Sequence, residues 1–201
     1  MGAFAMTGAD SVAVFSEVRN LTAASLSVAG GTFTGGVEIV TLSGNADLTG
    51  GIFNDPGAFI ISGNFVLAGA TYSIDGTITL SDDWTFSSGA FVGNPSVTFN
   101  DNGKVSTIAG STTFNVFQSV TAAKQITFTA GTTQTMTTLT LTGGAGANQI
   151  VLRSTAASQW NINPTNKTVS YDDVQYSNNT NAAAIQPSTS TNSGNNTNRE
   201  F

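Results

Sequence analysis

The sequence predicts an all-β protein, a single-stranded β-solenoid whose coils are each about 19–20 residues long. The first reason is a phrase that recurs every 19 residues, at positions 41–44, 60–63, 79–82 and 98–101. The second is an aromatic column that keeps step with this phrase, formed by Phe33, Phe53, Tyr72 and Phe91. The third is a strand-like alternation of apolar and polar residues, because successive side chains of a strand point to opposite faces. Short strands repeated at this period are typical of stacked coils.

Equivalent residues of successive coils lie above one another in a solenoid, so like side chains are expected to form ladders. Besides the aromatic column, the repeat predicts a second ladder of Leu42, Ile61, Leu80 and Phe99. The aromatic rings are expected to face inward, because burial removes roughly 150–250 Å² of each ring from water. An antiparallel β-sandwich is the runner-up, since strands spaced roughly 8–12 residues apart also suit that fold. A sandwich, however, has no physical reason to keep a fixed register.

The chain is predicted to begin with a cap, continue as repeats and end in a closing region. Residues 1–20 form an N-terminal cap or a strand, either covering the open edge of the first coil or donated to a neighbouring subunit. Residues 21–146 form the solenoid, with turn residues such as Gly and Asn between the strands. After residue 104 the spacing loosens, which predicts slightly longer coils. Residues 147–201 form closing strands and an Asn/Ser/Thr-rich tail that composition alone would class as disordered.

Composition and charge argue against nucleic acid and membrane insertion. Charged residues make up 9% of the chain, against roughly 25% in average globular domains. The six basic residues are scattered, so no patch is expected to bind the phosphates of a nucleic acid. No run approaches the roughly 18 apolar residues of a membrane-spanning segment. The N-terminus lacks the basic and apolar regions of a secretory leader, so no signal peptide is predicted in this chain.

Groups that could carry catalysis or bind a metal are sparse. The chain has no His and no Cys, which removes the commonest general base and every thiolate. Adjacent carboxylates at 172 and 173 would point to opposite faces of a strand, so they are not expected to act as an acid/base pair. Further carboxylates lie beside turn residues, where Asp commonly stabilises turns: Asp55, Asp75, Asp82, Asp83 and Asp101. We therefore expect no catalytic residue and no cofactor, and at most an incidental calcium ion at a corner.

Residues 150–201 contain four recognisable phrases, namely Ile150–Ser154, Trp160–Ile162, Val169–Ser177 and Ser193–Phe201. This series resembles the closing module of large repetitive β-helical surface proteins, which occur as bacterial exoproteins and adhesins and as structural proteins of environmental bacteriophages. The resemblance covers mainly residues 80–201. It implies that the tail folds back along the last coils with Phe201 inserted. It also implies a set of module residues: Trp160, Tyr171, Val174, Asn195, Asn196 and Phe201. A Trp commonly stands where this chain has Arg199, which leaves the anchoring of the tail open.

These observations predict a non-catalytic structural protein on the extracellular surface of a cell or on a virion. Its role would be a fibre, decoration or adhesin-type solenoid that gives a rigid assembly or attachment surface. The expected partners are further copies of the chain, other structural subunits or surface glycans. Two alternatives remain open: a glycan-binding adhesin, which predicts outward aromatic rings, and a polysaccharide-degrading β-helix, which predicts carboxylates converging in one groove.

Overall fold

The computed structural model describes residues 2–14, 20–35, 39–54, 56–74 and 76–201. The protein is all-β, with 61% strand and 2% helix, and its parallel sheets stack as a β-solenoid of about nine turns. The predicted fold class is therefore confirmed, and the antiparallel sandwich is wrong because the strands pair in parallel. Parts of the predicted cap and repeat, at 15–19 and 36–38, lie outside the described residues, as do Asp55 and Asp75.

The chain divides into two compact units, Met1–Ser96 and Val97–Phe201, which are described in turn. The strands of the first unit are β1 (Phe4–Met6), β2 (Val12–Val14), β3 (Leu21–Ala23), β4 (Leu26–Thr34), β5 (Ile39–Leu42), β6 (Ala46–Asn54), β7 (Ala58–Ile61), β8 (Phe65–Ser73), β9 (Thr77–Leu80) and β10 (Trp84–Val92). One sheet has the order β1-β4-β6-β8-β10, with β2 also paired to β4, and the other has the order β9-β7-β5-β3. The predicted boundaries after residues 20 and 146 are separate from this division and stay predictions.

The aliphatic ladder of the first unit has the predicted 19-residue register. Leu42 lies opposite Ile61, and Ile61 lies opposite Leu80, on the parallel strands β5, β7 and β9. All three side chains are fully buried. The alternate residues of the same strands point outward, so each short strand contributes its apolar positions to the core and its other positions to the surface.

The aromatic ladder also faces the interior. Phe33, Phe53 and Tyr72 are fully buried, and Phe91 at the end of the column is half-buried. Ring centroids are 4.7 Å apart for Phe33 and Phe53, 5.1 Å for Phe53 and Tyr72, and 5.7 Å for Tyr72 and Phe91. These separations are within the range at which aromatic rings attract one another. The column is therefore core, as predicted.

Glycine and asparagine occupy the irregular positions of the coils for identifiable reasons. Gly31 and Gly51, at the register irregularity within β4 and β6, have φ angles of 74° and 73°, and a Cβ on Gly51 would collide with the carbonyl oxygen of Gly31 in the preceding coil. At a corner between strands, the Oδ1 atom of Asn45 accepts a hydrogen bond from the backbone amide of Asn64 at 3.0 Å. The Oδ1 atom of Asn64 in turn accepts from the amide of Asp83 at 3.2 Å. Side-chain amides thus link successive coils where the strands end.

The second unit continues the same architecture. Its strands are β11 (Ser96–Phe99), β12 (Val105–Ala109), β13 (Thr112–Ser119), β14 (Gln125–Phe128), β15 (Thr133–Thr142), β16 (Ile150–Ser154), β17 (Trp160–Ser170), β18 (Asp172–Val174), β19 (Ser177–Asn179) and β20 (Thr191–Asn192). The two sheets have the orders β12-β14-β16-β18-β20 and β19-β17-β15-β13-β11. Phe99, the last member of the predicted aliphatic ladder, is fully buried here, with its ring centroid 5.0 Å from that of Phe117.

The coils of the second unit are longer, as the loosened spacing predicted. Phe117 lies opposite Leu139, 22 positions later, and Ile126 lies opposite Leu152, 26 positions later. The added residues before β16 form a corner that contains a short 3-10 helix, Gly146–Asn148. No helix in the described part of the chain is long and apolar enough to cross a membrane.

Candidate functional site

Of the carboxylates that could have marked a catalytic groove or a metal site, the structure describes Asp82, Asp83 and Asp101, and these three lie just after strands. The described residues include no group of three or more acidic, His or Cys side chains that could hold a metal ion. Asp101 has the geometry of a turn former, because its Oδ1 atom accepts a hydrogen bond from the amide of Gly103 at 2.9 Å. Asp82 and Asp83 follow β9 at an equivalent corner of the first unit.

A group of interacting charged and polar side chains lies in the C-terminal coils, in a region that we call the closing cluster. Its members are Arg153, Asp172, Asp173, Ser193 and Arg199. Asp172 and Asp173 are neighbours on β18 and point to opposite sides, as expected for a strand. Asp172 is fully buried, whereas the side chain of Asp173 remains partly exposed. The two carboxylates therefore meet different cations in different surroundings.

The inner half of the closing cluster is a buried ion pair. The Nη1 atom of Arg199 donates to the Oδ2 atom of Asp172 at 3.0 Å, and neither side chain is exposed to solvent. Burial lowers the pKa of the Arg199 guanidinium, although the charge and hydrogen bond of Asp172 act in the opposite direction. The Oδ1 atom of Asp172 and the Nε and Nη2 atoms of Arg199 have no hydrogen-bond partner among the described residues. The pair is thus only partly compensated for its desolvation.

The outer half of the closing cluster ties three segments together near the surface. Arg153 on β16 donates through Nη1 to the carbonyl oxygen of Asp173 at 2.8 Å and through Nη2 to its carboxylate. The Ser193 hydroxyl donates to the other carboxylate oxygen. Partial burial raises the pKa of Asp173, but the hydrogen bonds from Arg153 and Ser193 and the charge of Arg153 outweigh it, so this pKa lies below its ordinary value.

The tail folds back along the last coils, as the resemblance implied. The disorder that its composition alone would suggest is not observed. Strand β20 pairs in parallel with β18. Asn196, a predicted module residue, accepts from both the amide and the hydroxyl of Ser177 at 2.9 Å. Its Nδ2 atom donates to the carbonyl oxygen of Val174, itself fully buried, at 2.8 Å. The polar residues that suggest disorder instead supply hydrogen bonds to backbone groups.

Three further module residues have structural roles in this closure. Trp160 is fully buried, its ring centroid lies 3.8 Å from that of Phe128, and its Nε1 atom donates to the carbonyl oxygen of Gln175 at 3.2 Å. Tyr171 and Asn195 adopt positive φ angles of 52° and 60°, which place them at sharp changes of chain direction.

The expected insertion of Phe201 is wrong. Its side chain is 45% exposed, and it is the one exposed aromatic residue in the described part of the chain. The residue that enters the interior is Arg199, two positions earlier, because Asp172 offers it a buried counter-charge. The only sequence signal of this change was that Arg199 departs from the pattern that the resemblance implied.

Lys124 is a second buried cation that the sequence did not reveal. Its side chain is fully buried, and its Nζ atom donates to the carbonyl oxygens of Asp101 at 2.7 Å and Lys104 at 3.0 Å. These bonds tie the corner at 101–104 to the following coil. Nothing in the residues around Lys124 distinguishes it from a solvated lysine.

Through the contacts given above, the polar groups of the closing cluster hold the last strands and the tail in place. The buried cations face a carboxylate or backbone carbonyls, which is an arrangement suited to fixing chain segments. Comparison of the chain with protein-family models, with curated proteins and with solved structures gave no match.

Proposed function

We propose that the chain is a non-catalytic structural protein displayed on the outside of a virion or a cell, where its solenoid provides a rigid surface for assembly or attachment. The observation that best supports this proposal is the burial of the ladder side chains in the interior of the solenoid. Side chains such as Phe53, Ile61 and Trp160 are fully buried within stacked parallel strands. Backbone ladders and interior packing of this kind resist local opening, which is the property that a mechanical role requires.

Resistance to proteolysis gives a direct test. Chymotrypsin cleaves beside aromatic residues, and every described aromatic except Phe201 is buried or half-buried. We expect the folded chain to remain intact until the coils open. Cleavage of Ile61→Ala should be faster in proportion to its larger population of opened chains, whereas Ile60→Ala, whose side chain is 37% exposed, should behave like the parent.

Three further experiments address the location and the competing functions. Electron microscopy with a gold-labelled antibody against the chain should decorate the outer surface of the particles or cells that carry it. Turnover of a polysaccharide that is lost in Asp83→Asn and retained in Asp10→Asn would refute the non-catalytic role. Binding on a glycan array would support the adhesin alternative, although the inward aromatic column removes the sugar-stacking strip on which that alternative was based.

A further inference from the structure

The buried ion pair of the closing cluster leaves a donor fork of Arg199 unused by the described residues. The Nη1 atom of Arg199 donates to Asp172 at 3.0 Å, and both side chains are fully buried. The Nε and Nη2 atoms have no hydrogen-bond partner in the described part of the chain. Because a guanidinium is planar, its Nε–H bond and one Nη2–H bond are nearly parallel and can share one acceptor. Arg199 therefore offers a two-donor fork in the interior of the protein.

Asp172 supplies an acceptor next to this fork. Its Oδ2 atom accepts the hydrogen bond from Arg199, whereas its Oδ1 atom is buried and has no partner among the residues that the structure describes. Both oxygens belong to one carboxylate, so Oδ1 lies within a few ångströms of the guanidinium. Two donors and one acceptor are thus buried close together.

Backbone groups next to the ion pair are hydrogen-bonded, which makes these three side-chain atoms an exception. The backbone amide of Asp172 donates to the Ser190 hydroxyl at 3.0 Å. The amide of Glu200, which follows Arg199, donates to the carbonyl oxygen of Ile185 at 2.9 Å. The large majority of buried polar groups in folded proteins have a partner, and a charged group left without one bears its whole desolvation penalty. Three unpaired atoms on one buried ion pair therefore indicate a bound molecule.

The arrangement of donors and acceptor selects the ligand. A molecule that fits must accept hydrogen bonds from the fork and donate one to the Oδ1 atom of Asp172. Water does both through a single oxygen atom, and buried water molecules typically make about three hydrogen bonds to such groups. An anion such as chloride or a carboxylate could accept from the fork, but it would place a second negative charge beside Asp172. Its charge would also be buried next to a pair whose own charges cancel, which is unfavourable in the interior.

We propose that Arg199 and Asp172 bind an internal water molecule, which accepts hydrogen bonds from the Nε and Nη2 atoms of Arg199 and donates one to the Oδ1 atom of Asp172. This site goes beyond the proposed surface role, because its ligand is held in the interior and does not depend on where the chain is displayed. The water completes the hydrogen bonding of the ion pair. It therefore belongs to the contacts that hold the returning tail against β18.

Magnetic relaxation dispersion of the solvent oxygen nuclei counts the water molecules that stay bound long enough to tumble with the protein. The double variant Asp172→Leu/Arg199→Met is the test, because both charges are removed and a small apolar space stays dry. We expect it to hold one long-lived water molecule fewer than the parent chain. Arg153→Met is the matched control, since it also loses an arginine that pairs with a carboxylate, but this pair is partly exposed. The control should leave the count unchanged.

Nuclear magnetic resonance of the full chain locates the water. The Nε–H signal of Arg199, identified by its loss in the double variant, should show a cross-peak to water with the sign of a long-lived contact. The Nε–H signal of Arg153, whose side chain is 31% exposed, should show only transient contact with solvent. An unchanged water count in the double variant, or an Arg199 signal without the cross-peak, would overturn the proposal. A saturable shift of the Arg199 signal on titration with sodium chloride or sodium acetate, with loss of the cross-peak, would overturn it as well, because the fork would then bind an anion.

Discussion

Arg199→Met removes the cation of the buried ion pair and should release the tail. Asp172 would then remain fully buried without a counter-charge. Loss of one partner of such a pair costs about 3–5 kcal/mol, which corresponds to a change of about 100- to 4,000-fold in the unfolding equilibrium. Met has nearly the length of the aliphatic part of Arg, so little of the loss should come from missing packing.

The double variant Asp172→Leu/Arg199→Met decides whether the charge or the contact is responsible. Both buried charges are gone in this variant, together with the three polar atoms that have no hydrogen-bond partner in the described chain. Replacing a buried pair by apolar residues of similar size is often neutral or stabilising by about 1–4 kcal/mol. We therefore expect the double variant to be at least as stable as the parent, well above the single variant.

Urea unfolding followed by circular dichroism measures these free energies, and hydrogen exchange locates the change. The amide of Thr197 donates to the carbonyl oxygen of Ser177 at 2.8 Å, so it reports whether the tail is docked. Arg153→Met is the control for a pair that is partly exposed, with an expected loss of about 0–1 kcal/mol. The reasoning fails if Arg199→Met matches Arg153→Met, or if the double variant is as unstable as the single one.

Three other predictions concern the ladders, acid stability and the irregular position of Gly51. Ile61→Ala should lower the free energy of unfolding by about 2–5 kcal/mol, whereas Ile60→Ala should change it by less than about 0.5 kcal/mol. Equal losses for the two variants in urea titrations would contradict the assignment of Ile61 to the interior and Ile60 to the surface. Because the folded pKa of Asp173 is depressed, its contribution is present above the unfolded pKa of about 3.9 and is lost as the pH falls through the folded value. Thermal melts of Asp173→Asn should therefore differ from the parent at pH 6 and converge with it in strong acid, and an unchanged difference would exclude this titration. Gly51→Ala should cost about 1–3 kcal/mol from its positive φ and more from the collision with the preceding coil; Gly131→Ala, which has a positive φ but no close neighbour, should show the strain alone.

The ladders could be predicted from the sequence because, in a solenoid, the coil length alone decides which residues lie opposite each other. Once Leu42 and Ile61 are separated by one coil length, stacking places them opposite each other without any further information. Strand alternation then fixes which residues are inward, so the burial of Phe33 and Phe53 followed from the same pattern. Only side-chain volume and period were needed for these conclusions.

The ends of the chain could not be predicted in the same way. The burial of Arg199 depends on the position of Asp172, 27 residues away in the sequence, and that of Lys124 on two carbonyl oxygens 20 and 23 residues away. The Arg199 contact joins a returning tail to an earlier coil and so does not follow the coil register. Lys124 lies one coil after Lys104, but that register does not specify that its ammonium group turns into the corner. From sequence alone, a charged residue is predicted to be exposed unless a specific partner is known.

The sequence by itself determined the all-β class, the coil length and the inward ladders, because these depend on periodicity, which is present in the order of the residues. The tertiary structure alone decided which charges are buried and which residue anchors the tail. Those features depend on the positions of atoms brought together from separate coils, and the free energy of a buried charge or an exposed apolar group is set by such neighbours.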